Sequence, residues 1–256
     1  MSPPASETPP SEPRKTQFAA AVRVTGLRKR FGYRDALAGI DLEIPARGCF
    51  TLLGPNGAGK STLLRIIGLS MRPTAGRVEV LGREASRDGA VRNGEALRSQ
   101  IGLVFHESFL RGELTLEENL RYYAELHGLD RSDSQRRAGD LMDRLGLFKR
   151  ARDPVRTFST GMMKRASIIR SLLHRPRLWV LDEPFSGLDQ EGAGLLEAII
   201  GEEKTAGRAV VLVTHDAELG LRLGDDAAFI AAGSLRARGK AVVKEFMASA
   251  GGSGAS

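Results

Sequence analysis

The residues able to do chemistry fall into separate clusters along this sequence. Gly54-Pro55-Asn56-Gly57-Ala58-Gly59-Lys60-Ser61-Thr62 places Gly54, Gly59, Lys60 and Ser61 in the pattern Gly-x-x-x-x-Gly-Lys-Ser/Thr. Glycines let a backbone approach phosphate oxygens and turn its N–H groups inward. Lys60 supplies a compact positive charge for β- and γ-phosphates, and the Ser61 hydroxyl is a ligand for Mg²⁺. A helix after the loop adds the positive end of its dipole. Further along, Asp182-Glu183-Pro184 follows the apolar run Leu178-Trp179-Val180-Leu181. Two carboxylates at the end of a buried strand are costly unless they hold a metal or a water. His106 ends the run Ile101–Phe105, and His215 follows Ala209–Val213. A lone histidine is ordinarily structural, but His215 stands where open α/β sheets bind ligands, at a strand's C-terminal end.

These clusters need strands and helices to position them. Cys49–Leu53 reads as a short buried strand, and Leu63, Leu64, Ile66 and Ile67 as the apolar stripe of a helix. Strand, loop, helix is the context the phosphate motif requires. Before it, Val22 and Val24 alternate with polar residues and predict a strand. Leu27–Tyr33 is expected to turn, and Ala36–Ile44 to form a second strand ended by Pro45. Phe31 is either a stacking surface for a purine or a core aromatic. Arg77–Leu81 predicts another strand, and residues 82–97 a loop with a short helix. Thr115 and Glu118 have capping-box spacing, which predicts a helix carrying Leu116, Leu120, Tyr123 and Leu126 to Gly128. A further helix is expected over 133–147. Ser159 stands where an N-cap belongs, ahead of a helix bearing Ile168, Ile169, Leu172 and Leu173. Ser186–Asp189 predicts a turn, Leu195–Ile200 a helix, and residues 227–247 a hairpin and a closing helix.

With 256 residues and 41% apolar content, the chain is long enough to bury a full core. The single cysteine, Cys49, excludes a disulfide framework and a multi-cysteine zinc site, and its usage fits a reducing cytosol. No apolar run reaches the ~20 residues that span a bilayer, and residues 1–12 lack the apolar core of a secretory signal. Residues 1–17 and 248–256 are expected to be flexible tails. The net charge of +7 is compatible with nucleotide phosphates, nucleic acid or an anionic surface. The basic residues are scattered without interleaved aromatics, so a single-strand stacking platform is not expected.

Taken together, GPNGAGKST, FSTGMMKR, LWVLDEP, SGLD and Val213-Thr214-His215 resemble, in this order, the ATP-binding subunit of ABC transporters, from about Val22 to Met247. The resemblance implies an α/β P-loop NTPase core with a mainly parallel sheet, an N-terminal antiparallel β portion and an inserted helical subdomain at about 98–173, within one domain at 18–247. It implies that Phe31 stacks on adenine and that Lys60 and Ser61 hold phosphate and Mg²⁺. It further implies that Asp182 supports the metal shell, that Glu183 polarises the attacking water and that His215 contacts the γ-phosphate. In the family, ATP lies between two subunits, with Ser159 and Gly161 of one facing the phosphate loop of the other and Asp189 at the boundary. A homodimer or heterodimer, a separate membrane permease subunit, and a peripheral location at the cytoplasmic face of the cell membrane follow as expectations.

The sequence departs from the family in two places. The family signature Leu-Ser-Gly-Gly-Gln is Phe158-Ser159-Thr160-Gly161-Met162 here, which keeps the two residues able to approach a phosphate. His106 stands where the family has Gln, as a candidate contact to Mg²⁺ or water, beside the alternative that it faces solvent or the membrane subunit. With Gly112–Thr115 and Glu118–Tyr123, it makes the chain similar to the ATPase of the cytochrome c maturation heme exporter (the CcmA type). ATPases of lipid or drug exporters share much of this pattern. A nucleic-acid ATPase of the same superfamily adds a coiled coil, zinc modules or a second domain, and none is legible here. A small-molecule P-loop kinase would not need FSTGMMKR.

Overall fold

The computed structural model describes residues 19–85 and 94–251. The tail expected at 1–17 lies outside these residues, as does the end of the other, 252–256.

The chain opens with β1 (Ala20–Phe31), β2 (Arg34–Pro45) and β3 (Gly48–Leu53), then α1 (Lys60–Ile67), β4 (Ala75–Val80) and β5 (Arg83–Ala85). β2, β1, β4 and β5 form an antiparallel sheet in that order. β1 is central in it: Val22 pairs with Ile44 on one side and Val80 on the other. This corrects the turn expected at Leu27–Tyr33. The strand runs on to Phe31, and only Gly32 and Tyr33 turn. Backbone pairing to β2 through Arg28–Phe31 outweighs the polar run, whose side chains face outward.

After α2 (Gly94–Arg98) come β6 (Ile101–Val104), α3 (Leu116–Leu126), α4 (Arg131–Arg144), α5 (Thr160–Leu172) and β7 (Leu178–Asp182). α6 (Gln190–Thr205), β8 (Ala209–Val213), α7 (Ala217–Leu223), β9 (Asp226–Ala231), β10 (Ser234–Arg238) and α8 (Lys240–Gly251) complete the chain. The second sheet has the order β10-β9-β3-β8-β7-β6. It is parallel except at β10, which pairs antiparallel with β9. Every residue of β7 and β8 is buried, as both faces of the sheet are covered and an uninterrupted apolar run suits that position. Cys49 is buried in β3, and burial pushes its thiol up to about 12, so it serves as a small core side chain.

The helical section begins after β6 rather than at residue 98, because Ile101–Val104 pairs with Leu178–Leu181 inside the main sheet. α3 starts in the expected capping box: Thr115 Oγ1 accepts from the Glu118 N–H, and the Glu118 carboxylate accepts from the Thr115 N–H at 2.8 Å. The Trp179 indole donates to Ser171 Oγ at 2.9 Å and ties α5 to β7. The closing helix α8 passes the expected end at Met247 and continues to Gly251.

One consequence of the topology positions the site. β3, β6, β7 and β8 are parallel, so their C-terminal ends share one edge of the sheet. Gly54, His106, Glu183 and His215 all follow at that edge.

Candidate functional site

Residues Gly54–Gly59 leave β3 and wrap toward α1, whose first residue is Lys60. The turn requires glycine at its two ends. At Gly54, φ is +143°, and a Cβ would stand 1.9 Å from the Ile230 carbonyl oxygen. Gly59, the N-cap of α1, has φ +102° and would meet the Ala36 oxygen at 2.4 Å. Any side chain there would push the loop off its support. Lys60 is buried, and its ammonium donates to the carbonyls of Gly54 at 2.7 Å and Pro55 at 2.9 Å. Burial pulls its pKa down, while Glu183 and Asp182 oppose that.

The loop forms one wall of a cleft of about 440 Å³ lined by Phe31, Arg34, Asn56, Gly57, Ala58, Gly59, Lys60, Ser61, Thr62, Asp182 and Glu183, among others. Phe31 is 49% exposed and lines the cleft, so it is not a core aromatic. The Lys29 ammonium lies 5.0 Å from its ring centroid.

Asp182 is buried at the end of β7, and its Oδ1 has no hydrogen-bond partner. Burial raises its pKa; the Ser61 hydroxyl beside it pulls the other way, and Glu183 raises it further. A buried carboxylate oxygen left unpartnered beside a serine hydroxyl is a donor set that suits a hard divalent cation. The residues present therefore fit Mg²⁺, with Ser61 and Asp182 as the groups to hold it.

Glu183 has φ +49°, in the left-handed region, where a non-glycine residue costs about 1–3 kcal/mol. Its N–H donates to Val213 O at 3.0 Å, which ties it to the end of β8. Its Oε2 lies 2.8 Å from His215 Nδ1 and accepts from the His215 N–H at 3.2 Å.

The other expected residues lie apart from this cleft. His106 is exposed on the loop after β6 and does not line the cleft. Its neighbour Glu107 bonds Arg65 of α1 at 2.7 Å. Ser159 caps α5, accepting from the Met162 N–H at 3.3 Å. Asp189 caps α6, accepting from the Gly192 N–H at 2.8 Å. The two caps adjoin: a Cβ on Gly161 would lie 2.9 Å from the Gly187 oxygen, and one on Gly187 would lie 3.0 Å from Thr160 Cγ2. Ser159, Gly161 and Asp189 thus belong to one surface formed by the start of α5 and the turn before α6, outside the cleft lining.

Two residues at the site escaped the sequence reading. Arg34 lines the cleft between Phe31 and Gly57, and its only signal is a cation three residues past the aromatic. Lys164 on α5 donates to the Glu183 carbonyl at 3.2 Å. Its signal is a lysine just ahead of the wholly buried run Ala166–Leu172.

The family description "ABC transporter" matches residues 37–186. A daunorubicin resistance ATP-binding protein of Streptomyces coeruleorubidus is 36% identical over 91% of this chain and 71% of its own length. A cytochrome c biogenesis ATP-binding export protein of Cupriavidus pinatubonensis is 35% identical over 76% of this chain and 83% of its own. A methionine import ATP-binding protein of Mesorhizobium japonicum is 33% identical over 90% of this chain, which spans 63% of that protein. Near-equal identity to relatives with such different names does not single out the heme-export type. The solved structure of the ATP-binding subunit of an ABC transporter superposes with TM-score 0.80 at 29% identity, covering 92% of this chain and 95% of the other. A dimeric ATP-binding cassette in a post-hydrolysis state, bound to ADP and Pi, superposes with TM-score 0.74 at 26% identity, covering 85% and 97%.

Proposed function

This chain belongs to the ABC transporter family as one of its ATP-binding-cassette ATPases, and from that premise we propose that it binds and hydrolyses ATP as one of a pair of subunits that drive a separate membrane permease. The observation that carries the reading is the convergence of Lys60, Ser61, Asp182 and Glu183 on one cleft. Phe31 offers its exposed ring to the adenine, and the Gly54–Gly59 backbone and Lys60 bind the phosphates. Mg²⁺, when bound, neutralises developing charge on the phosphates. Glu183 takes a proton from the attacking water, and His215 orients that carboxylate through the 2.8 Å contact.

The placement of Ser159, Gly161 and Asp189 away from the chain's own cleft supports a paired arrangement. The relative solved as a dimer with ADP and Pi supports it too. In the pair, each chain would present Ser159 and Gly161 to the nucleotide of the other. Among the described residues no helix is long and apolar enough to cross a membrane. Attachment at the cytoplasmic face through the permease therefore forms part of the proposal.

For the cargo, His106 and the Glu113–Tyr123 stretch support heme handling in cytochrome c maturation. The match to the daunorubicin resistance protein over 91% of this chain favours a second reading, export of a drug-like molecule. Replacing the gene with one encoding Lys60→Ala separates the two. Loss of covalent c-type cytochromes with b-type cytochromes retained supports heme handling. Normal c-type cytochromes with raised drug sensitivity support the second reading. ATP hydrolysis by the purified protein tests the activity itself, and its absence in the presence of Mg²⁺ and the permease would contradict it.

A further inference from the structure

The Glu183 peptide is held in a conformation that a glutamate does not choose for itself, with φ +49°. Its N–H is bound to Val213 O at 3.0 Å. Its carbonyl accepts from the Ser186 N–H at 3.3 Å and from Lys164 Nζ at 3.2 Å. The first two are backbone contacts that any sequence would make at this turn. The third comes from a side chain on α5, far away along the chain. Lys164 is half-buried, and its ammonium feels the charges of the Asp182 and Glu183 carboxylates. Burial lowers its pKa and those carboxylates raise it again, so the two charges support the ammonium where it lies. A lysine serving only solubility would extend into water.

We propose that Lys164 is a positioning residue for hydrolysis: its ammonium, donating to the Glu183 carbonyl, holds the left-handed peptide that aims the Glu183 carboxylate. The inference rests on the role of Glu183 given above. Without the donor, the carbonyl keeps only the Ser186 N–H, and the peptide is released toward ordinary backbone angles. The carboxylate is then displaced from the attacking water, while the cleft that binds nucleotide is unchanged. Lys164 therefore acts on kcat and not on KM. The same helix places Thr160 against Gly187, so α5 braces the segment on both sides of Phe185.

The test is a double-mutant cycle on the full chain, with ATPase kcat and KM measured for Lys164→Met and Lys164→Gln, each alone and with Glu183→Gln. Lys164→Met is expected to lower kcat about tenfold or more, since an ångström-scale misplacement is that expensive, with KM changed less than about twofold. Lys164→Gln keeps an N–H donor of similar reach and is expected to recover most of the rate. In the Glu183→Gln background, Lys164→Met is expected to add less than about a twofold loss, because residues acting as a unit are not additive. Wild-type kcat in Lys164→Met, or the same fold loss in both backgrounds, overturns the proposal. If Lys164→Met does not fold, a folded but inactive Lys164→Gln overturns it equally. Failure of the unmutated protein to hydrolyse ATP overturns the ATPase reading and this one together. Normal hydrolysis unaffected by either Lys164 change overturns this one alone.

Discussion

Glu183 and His215 stand at the ends of neighbouring strands, and their side chains meet at 2.8 Å. The carboxylate of Glu183 also accepts from the His215 N–H, so the histidine grips it from both ring and backbone. The His215→Ala change removes the ring and leaves the backbone contact. It is expected to reduce kcat by up to about 10²-fold, the scale of a misplaced reacting group. Steady-state ATPase assays check this, and an unchanged kcat would release His215 from the mechanism.

Lys60 is predicted to act on binding rather than on chemistry. Its ammonium rests against the Gly54 and Pro55 carbonyls, ready at the mouth of the loop. The Lys60→Ala change removes a charged hydrogen-bond donor worth about 1.5–3 kcal/mol. That corresponds to roughly 10–100-fold weaker ATP binding. Equilibrium binding of a fluorescent ATP analogue measures it, and wild-type affinity in this variant would contradict the assignment of the loop.

Asp182 predicts opposite effects on stability and activity. Burial holds its carboxyl above the ordinary carboxylate range. The sign follows: its contribution to folding is favourable below the unfolded pKa and is lost as pH rises through the folded one. At neutral pH the ionised group is thus a burden on the nucleotide-free fold. Asp182→Asn is expected to raise Tm at pH 7, while Mg²⁺-dependent hydrolysis falls. Differential scanning calorimetry without nucleotide measures the first effect; a lowered Tm would contradict the account of the buried carboxylate.

His174 governs the acid limb of stability. Its ring stacks on His127 with centroids 4.1 Å apart, and its Nε2–H donates to Ile101 O at 3.1 Å. Burial, reinforced by His127, Arg170 and Arg137, pushes its pKa down to about 3. Because the folded value is depressed, the stability is present above the unfolded pKa near 6.5 and is lost as pH falls from there toward 3. The slope from one such group is at most about 1.4 kcal/mol per pH unit. Urea unfolding from pH 7 to 4 is expected to show a shallower decline for His174→Leu than for the unmutated protein. Parallel declines would remove His174 from this role.

Much of the site was legible because its residues follow one another locally. Gly54–Thr62 is contiguous, and the capping box at Thr115 and the N-cap at Ser159 are short-range patterns that the structure reproduces. The burial of Asp182 followed from the apolar run before it. What escaped is non-local. Lys164 reaches Glu183 only because α5 packs beside β7, and no spacing rule reports that. The length of β1 was missed because Arg28–Phe31 is held by pairing with β2, which the polar composition of the stretch does not reveal. His106 lies exposed beside Glu107, which is anchored by Arg65 on another element.

Two chains are expected to close on ATP, and hydrolysis through Glu183 to let them part. Glu183→Gln keeps the shape of the side chain and removes its basicity, so hydrolysis should slow about 10²–10⁴-fold while binding persists. Light scattering coupled to size-exclusion chromatography of this variant, with Mg²⁺ and either ATP or ADP, is the direct measurement. The expected result is a dimer carrying unhydrolysed ATP, and a monomer with ADP. A variant that stays monomeric with bound ATP, or that hydrolyses it at the unmutated rate, would contradict it.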